Sequence, residues 1–296
     1  MKKSSLLFAA LLGFAFVPSA HAAREFRDLT NAQGVKIHAE LLDLTPEGVL
    51  KVNVNLKPFE IPLSQLSPED QEWIKTWDTK RKHGEEAAYY NREIFADDFS
   101  SNNFGPRWGH YKSGSVVKDG ILVGITPEGS DHSAVDNIKF EGEQDLEVSV
   151  KFQFTSDKAR SFNVWLDDKD YKESHAGHIA QVTVSPVQVV ILDAKTGSFR
   201  KDIYTKRKTP EGLSAEENAY LATKTARFPI KLALNEWHTL VVRTRGDEIF
   251  AVINGKEAGK FKSEGVSHAT KSLVSLTTNP VDVQYDDFSI KAGGQK

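Results

Sequence analysis

Hydrophobic and polar residues alternate along most of this chain, and this pattern predicts short β-strands. In the clearest run, 146–154, the Leu, Val and Phe residues are separated by Glu, Ser, Lys and Gln. Such alternation turns one apolar face to a core and one polar face to solvent. The same pattern predicts strands at 116–123 (a hairpin around Asp119-Gly120), 162–166, 179–193 (two strands broken at Ser185-Pro186), 237–244, 249–253, 257–261 and 281–290.

Turn residues between these runs favour antiparallel pairing. Asn254-Gly255, between two of the runs, is the strongest hairpin signal in the chain. Regular strands separated by such turns predict one large antiparallel β-sandwich over residues 94–291. A long connection at 197–228 interrupts the sandwich, and Ser214 with Glu217 predicts a capped helix there that reaches Lys224.

The N-terminal part, residues 24–77, reads as a separate small module. Alternating runs at 35–40, 49–56 and 59–63 predict three strands. Ser67 and Pro68 predict the start of a helix, because Ser caps helices and Pro suits the first helical position. Trp73 and Trp77 fall on one face of that helix, and we expect them to close the module's core. Residues 78–93 carry mixed charges and predict a helical linker.

The first 22 residues have the pattern of a secretory signal peptide. Lys2 and Lys3 precede an apolar run, and Ala20-His21-Ala22 matches a cleavage site. The apolar run is shorter than a bilayer-spanning helix needs. We therefore expect an exported bacterial protein, periplasmic or extracellular, with no membrane span.

Composition narrows the chemistry that this chain can perform. Its 296 residues include no cysteine, which excludes disulfides, cysteine-ligated metals and cysteine nucleophiles. With 38 Lys and Arg against 41 Asp and Glu, the net charge of −3 is not the basic balance expected of a nucleic-acid-binding protein. Any catalysis would use carboxylates, His or Lys, and any metal would use oxygen or imidazole ligands.

Three stretches of the N-terminal module, at 24–28, 34–40 and 61–71, resemble the Sla homology domain. The resemblance implies a small SH3-like barrel for residues 24–77. In endocytic adaptors this domain binds a short Asn-Pro-Phe-type peptide. For this chain the resemblance implies an envelope protein or peptide as partner, and it assigns no binding residue.

Six stretches of the sandwich resemble the 3-keto-disaccharide hydrolase domain of the concanavalin A-like group. They lie at 97–99, 117–122, 145–150, 235–240, 253–256 and 286–290. The resemblance implies a concanavalin A-like jelly roll whose partner is a carbohydrate. The Gly-Tyr-Glu-x-Gln stretch of that domain corresponds here to residues 177–181, so Gln181 is a substrate-binding candidate, whereas Ile179 replaces the Glu.

Glu143, Asp145 and Glu147 have the spacing of the acid triplet of family 16 glycosidases. On one strand, residues i, i+2 and i+4 share a face, so three carboxylates would line a cleft. They would serve as nucleophile, acid and a neighbour that tunes the pKa values of both. The alternative is a solvent-facing strand surface, since alternation alone produces such triplets.

Two histidine-bearing stretches supply further candidate catalytic residues, namely His175 with His178 and His268 with Lys271. His and Lys can act as acid, base or hydrogen-bond donor to a sugar. With the acids at 167–170, the first pair could also ligate a divalent metal. The alternative for both stretches is a set of hydrogen bonds that fix loops.

Four aromatic rings are candidates for stacking on a sugar: Trp108, Tyr111, Tyr171 and Trp165. Because Trp165 lies in an alternating strand, we expect core packing for it instead. A basic cluster at 201–208 could meet an acidic glycan, although a solvated loop face would have the same composition.

The sequence Asp-Asp-Phe-Ser occurs at both ends of the sandwich, at 97–100 and 286–289. If the first and last strands pair, Asp98 and Asp287 come together and predict a structural calcium ion. The alternative is a solvated edge with both Phe rings buried.

Besides a purely structural envelope protein, two functions therefore stay open at this stage. The first is an exported carbohydrate-active enzyme resembling the 3-keto-disaccharide hydrolases. The second is a non-catalytic module that binds a glycan or an envelope partner.

Overall fold

The computed structural model describes residues 24–156, 158, 161–279 and 283–294. The predicted signal peptide, residues 1–22, lies outside the described residues, so export stays a prediction. The chain divides into two compact units, residues 1–88 and 89–296. Both are built mainly from antiparallel β-strands.

The N-terminal unit is a four-stranded antiparallel sheet followed by a helix. The strands follow one another in the order β1-β2-β3-β4, and Leu29, Leu50, Val52 and Ile74 form the centre of their core. Trp73 and Trp77 pack partly buried against that core, as expected. Closure of the sheet into an SH3-like barrel stays a prediction. The elements are β1 Glu25–Thr30, β2 Lys36–Leu44, β3 Val49–Val54, β4 Lys57–Pro62, a 3₁₀ turn Leu63–Gln65 and α1 Pro68–Tyr89.

The predicted start of α1 is confirmed. The Ser67 hydroxyl accepts a hydrogen bond from the Asp70 backbone N–H at 3.2 Å, and Pro68 is the first helical residue. Asp70 in turn accepts from the Thr30 backbone N–H at 2.8 Å and from Arg27 Nε at 3.0 Å. Residues 78–89, expected to form a separate helical linker, continue this same helix.

The C-terminal unit is a sandwich of two antiparallel sheets. The first sheet has the order β17-β16-β15-β10-β19-β8-β7, with β5 also paired to β19, and the second has the order β14-β13-β12-β11-β18-β9-β6. The strands are β5 Arg92–Asp97, β6 Trp108–Tyr111, β7 Val116–Lys118, β8 Ile121–Gly124, β9 Ala134–Glu143, β10 Leu146–Phe154, β11 Phe162–Asp167, β12 His178–Val184, β13 Gln188–Asp193, β14 Thr225–Pro229, β15 His238–Arg245, β16 Glu248–Ile253, β17 Lys256–Lys262, β18 Lys271–Thr278 and β19 Val283–Ala292.

The core of the sandwich lies between the two sheets and follows from the alternation in sequence. The five apolar residues of β10 are all buried against apolar residues of β11, β12 and β18 in one cluster. Burial of such side chains is the main favourable term in folding. Among the strands that were not predicted are β9 and β18, and both carry polar residues at buried positions.

In the described part of the C-terminal unit, both α-helices lie in the long connection between β13 and β14. They are α2 Lys201–Lys206 and α3 Ala215–Ala222. The predicted capping box is confirmed, because the Ser214 hydroxyl accepts from the Glu217 backbone N–H and the Glu217 carboxylate accepts from the Ser214 backbone N–H. The helix ends at Ala222, two residues before the predicted end at Lys224, and Thr223 is its C-cap residue.

Asp193, at the end of β13, is fully buried and joins two loops through its carboxylate. It accepts hydrogen bonds from the Thr196 backbone N–H (3.0 Å) and hydroxyl (2.6 Å) on one loop. On the other loop it accepts from the Ser263 hydroxyl (2.5 Å) and the Gly265 backbone N–H (3.0 Å). Any Cβ atom at position 265 would collide with this carboxylate, which explains the glycine there.

We predict that Gly265→Ala destabilises the protein by about 3 kcal/mol, because the added methyl group displaces a buried carboxylate and breaks its hydrogen bonds. Urea unfolding measures the loss. Gly105→Ala is the control, since a Cβ atom there meets nothing within 4 Å. A Gly265→Ala protein with wild-type stability would show that the Asp193 hydrogen bonds are dispensable.

Candidate functional site

The outer surface of the second sheet carries an unusual number of polar side chains in its central strands. Residues such as Val164 and Val182 point into the core, so their neighbours along each strand point outward. The strand register places Trp165 directly opposite both Gln181 and Ser275, and directly opposed residues lie on the same face. We call this surface the polar face; it consists of Asn137, Asn163, Trp165, Gln181, Thr183, Ser275 and Thr277.

Several hydrogen-bonding groups of the polar face are unused. The Thr183 hydroxyl donates to Asn163 Oδ1 at 2.8 Å. In contrast, Asn137 Oδ1 and Thr277 Oγ1 are buried without a partner, and Thr277 is only 5% exposed. The Gln181 amide makes no hydrogen bond to the described part of the chain. Because buried polar atoms are nearly always paired, these groups mark a surface suited to a polar ligand.

Trp165 is buried and packed, as expected, but it packs on the outer side of β11 within the polar face and not in the main core cluster between the sheets. Its ring stacks on that of His178, with 4.0 Å between centroids and 26° between planes. The Phe199 ring meets it edge-on at 5.2 Å. The alternation along β11 places Trp165 on the outer side of the strand. Other side chains cover this side too, so that Trp165 is only 9% exposed.

Trp108, in contrast, lies in the main core between the two sheets. It belongs to the main core cluster, between Phe95 and Phe288, and its indole N–H donates to Asp97 Oδ2 at 2.8 Å. The structure thus gives it a packing role. Tyr111 is 54% exposed on β6, opposite Val135, at the edge of the second sheet.

At one end of the polar face, Asp167 and His178 form a pair. His178 Nδ1 lies 2.8 Å from Asp167 Oδ1. Burial raises the pKa of Asp167. With the carboxylate ionised, Nδ1 donates to it, and the imidazole Nε2 is left as the atom that can exchange a proton with a bound molecule.

Asp168, the next residue, pairs with the second predicted histidine. His268 Nε2 lies 3.0 Å from Asp168 Oδ2, and the His268 ring contacts Tyr171 at 4.8 Å. Burial alone would raise the pKa of Asp168, but hydrogen bonds from His268, the Asp170 backbone N–H and Ser272 outweigh burial and lower it. Burial lowers the pKa of His268.

Lys271 is fully buried beside His268. Its ammonium group donates to the backbone oxygen of Gln144 and, at 3.2 Å, to that of His268. Burial lowers the pKa of Lys271 to about 8. In this position the side chain fixes the loop that carries His268. His175 is exposed and stacks on Tyr204, with centroids 3.8 Å apart.

The acid triplet does not share one strand, so the spacing argument for it was wrong. Glu143 ends β9, Asp145 lies in the turn and Glu147 belongs to β10. Each carboxylate has its own partner. Glu143 pairs with Arg92 at 2.5 Å, Asp145 accepts from the Tyr89 hydroxyl at 2.6 Å, and Glu147 accepts from Arg243 at 2.7 Å.

The expected pairing of first and last strands is confirmed by β5 and β19, but the acids at their ends do not form a calcium site as they stand. Asp287 pairs with the Lys151 ammonium group at 2.5 Å, and Asp98 accepts from the Ser100 hydroxyl and backbone N–H. Calcium takes six to eight oxygen ligands. The described residues contain no group of three His, Asp or Glu side chains placed to hold a metal, so the ion stays a prediction.

No protein-family model and no curated protein matches this chain. Several solved structures align with part of this chain. The carbohydrate-binding module CBM66 from Bacillus subtilis is 10% identical, with a TM-score of 0.43 over 63% of this chain and 96% of that one. SCLam, a non-specific endo-β-1,3(4)-glucanase from family GH16, is 10% identical, with a TM-score of 0.48 over 69% and 91%.

A third structure is the exoplasmic domain of VIP36 in a form bound to Ca²⁺ and Man3GlcNAc. It is 8% identical, with a TM-score of 0.43 over 68% of this chain and 89% of that one. By their names, these three structures are a carbohydrate-binding module, a glucanase and a domain bound to an oligosaccharide. Identities and TM-scores this low do not transfer a function to the present chain.

Sequence reasoning named Gln181 and Trp165 but missed the other five residues of the polar face. Three of them, Asn137, Ser275 and Thr277, lie on β9 and β18, which were not predicted. The available signal was the run of Ser and Thr among apolar residues in 272–278. In the described part of the chain, no helix has the length and apolar character needed to cross a bilayer.

We predict that the protein loses stability as the pH falls below about 6.5, partly through His268. Its pKa is lowered in the folded state from the ordinary 6.5, so the unfolded chain takes up the proton first. The stability that the neutral His268 contributes is fully present above about pH 6.5 and is lost as the pH drops through its pKa in the folded state. Urea unfolding at about pH 7.5 and about pH 5.5 measures the difference.

The His268→Gln variant should show a smaller loss between these two pH values than the wild type. His132→Gln, which changes an exposed histidine elsewhere in the sandwich, should leave the loss unchanged. Equal losses in wild type and His268→Gln would contradict the assignment.

Proposed function

We propose that this protein binds a glycan on the polar face of its second sheet. The observation that carries the proposal is the set of unused hydrogen-bonding groups around Trp165, two of them buried. Sugar hydroxyls both donate and accept hydrogen bonds, so side-chain amides and hydroxyls are suitable partners.

The dimensions of the polar face suit a short oligosaccharide. Its residues lie on four adjacent strands, β9, β18, β11 and β12. With neighbouring strands about 4.8 Å apart, the face spans about 14 Å across the sheet. Asn137 and Gln181 stand at opposite sides of this span, and Trp165 and Ser275 lie between them. A chain running across the strands would contact the partly exposed Asn137 and Gln181 at the two sides.

Gln181→Ala should weaken glycan binding about fivefold, because one hydrogen bond to the ligand is lost while the core is untouched. An array of neutral oligosaccharides identifies the ligand that binds best, and isothermal titration calorimetry with that ligand measures the affinity. Gln153→Ala is the matched control, because Gln153 lies on the outer face of β10 in the other sheet. Equal effects of the two substitutions, or no binding across the array, would refute the proposal.

A second candidate function is cleavage of a bound 3-keto-disaccharide, and the Asp167–His178 pair beside Trp165 favours it. A ketone at C3 acidifies the hydrogen on C2. His178 Nε2 would remove that proton, and the electron pair left on C2 would form the C1–C2 double bond as the C1–O glycosidic bond breaks. The leaving oxygen takes up one proton, and water then adds to the unsaturated sugar.

His178→Gln should lower the cleavage rate of a 3-keto-disaccharide at least hundredfold, since positioned general bases contribute about 10²–10⁴-fold. The rate of product formation is measured by chromatography under single-turnover conditions. His110→Gln is the control, because His110 makes a similar pair with Asp136 at 2.8 Å elsewhere in the sandwich. Binding without turnover by the wild type would instead identify a non-catalytic glycan-binding module.

The N-terminal unit adds a separate proposal. Its resemblance to a peptide-binding domain supports an envelope protein or peptide as partner. The Phe26 ring offers an apolar surface for such a contact, since it is 51% exposed and stacks on His38 with 5.8 Å between centroids.

A further inference from the structure

An open concave region of the sandwich unit, which we call the basic cleft, lies beside α2 and has a volume of about 810 Å³. Its charged lining residues are Lys195, Arg200, Lys201 and Lys206 against Glu173 and Asp202, so basic groups exceed acidic groups by two. The chain as a whole has a net charge of −3. A positive cleft on an acidic protein concentrates anions locally.

Two of the four basic side chains are already neutralised. Arg200 holds both oxygens of Asp202, at 2.7 and 2.9 Å, and Lys206 binds Glu217 at 2.7 Å. Lys195 and Lys201 form no ion pair within the described residues. After burial, the positive charge of Lys195 is a smaller cause that lowers the pKa values of His268 and Lys271.

The walls of the basic cleft are fixed to each other by backbone hydrogen bonds. The Lys201 N–H donates to the Glu173 carbonyl at 2.9 Å, and the His175 N–H donates to the Phe199 carbonyl at 2.8 Å. On the far side, Thr196 is held by the buried Asp193 carboxylate. A cleft fixed in this way loses little entropy when a ligand enters.

An aromatic ring lies beside one of the free ammonium groups. Lys195 Nζ is 5.4 Å from the centroid of the Tyr171 ring, and both residues line the cleft with the hydroxyl-bearing Thr196, Thr205 and Thr209. A sugar ring that stacks on Tyr171 would bring a substituent within reach of Lys195. The volume of the basic cleft, about 810 Å³, lies in the range of small-molecule sites.

We propose that the basic cleft binds an acidic saccharide, a uronic acid oligomer, with Lys195 and Lys201 contacting its carboxylates. This site is separate from the polar face, since the two share no residue. Its ligand differs in charge from a neutral glycan. The proposal therefore does not depend on the function proposed for the polar face.

The test is isothermal titration calorimetry with tri-galacturonate, using the neutral galactose trisaccharide and inorganic sulfate as comparison ligands. We expect the wild type to bind tri-galacturonate more tightly than either. The double variant Lys195→Ala/Lys201→Ala should bind it about tenfold more weakly. Affinity should also fall as salt is raised, because exposed charges are screened.

The matched control is Lys231→Ala/Lys256→Ala, which removes the same charge from exposed positions outside the cleft. It should retain wild-type affinity, as should Gln181→Ala on the polar face. Circular dichroism and thermal unfolding confirm that each variant is folded. Equal losses in the two lysine pairs, or equal affinity for sulfate and tri-galacturonate, would overturn the proposal, and so would the absence of tri-galacturonate binding by the wild type.

Discussion

The buried carboxylate of Asp193 holds together two loops, one leading to the basic cleft and the other to His268. It accepts four hydrogen bonds, two from Thr196 and one each from Ser263 and Gly265. Removing a carboxylate from water is costly unless its oxygens are satisfied by donors. Because the donors come from two different loops, the carboxylate is satisfied only when both loops occupy their native positions.

These two loops lead directly to the functional side chains. Thr196 follows Lys195 of the basic cleft, and Gly265 precedes His268, which pairs with Asp168 at 3.0 Å. The Lys271 ammonium group also fixes this loop, because it donates a hydrogen bond to the backbone oxygen of His268. Buried polar groups therefore hold these loops together with apolar packing, since Val266 of the second loop belongs to the main core cluster.

Local patterns were enough to predict most strands, whereas the candidate site required pairing information. Alternation located β10, and Asn254-Gly255 located the β16–β17 hairpin, because both signals lie within a few residues. β18 was missed because Lys271 and Ser272 are consecutive buried polar residues that break the alternation. The polar face joins residues from 137 to 277 through strand register, which no local pattern reveals.

The contrast between satisfied and unsatisfied polar groups separates structural from functional candidates more clearly than sequence spacing does. Glu143, Asp145 and Glu147 match a catalytic spacing, yet each is held by its own partner on a different element. Thr277 matches no motif, yet its buried hydroxyl has no partner. A buried group without a partner costs free energy in the free protein, and a ligand that supplies the missing hydrogen bond recovers that cost. The unused groups around Trp165 are therefore where binding a polar molecule gains most.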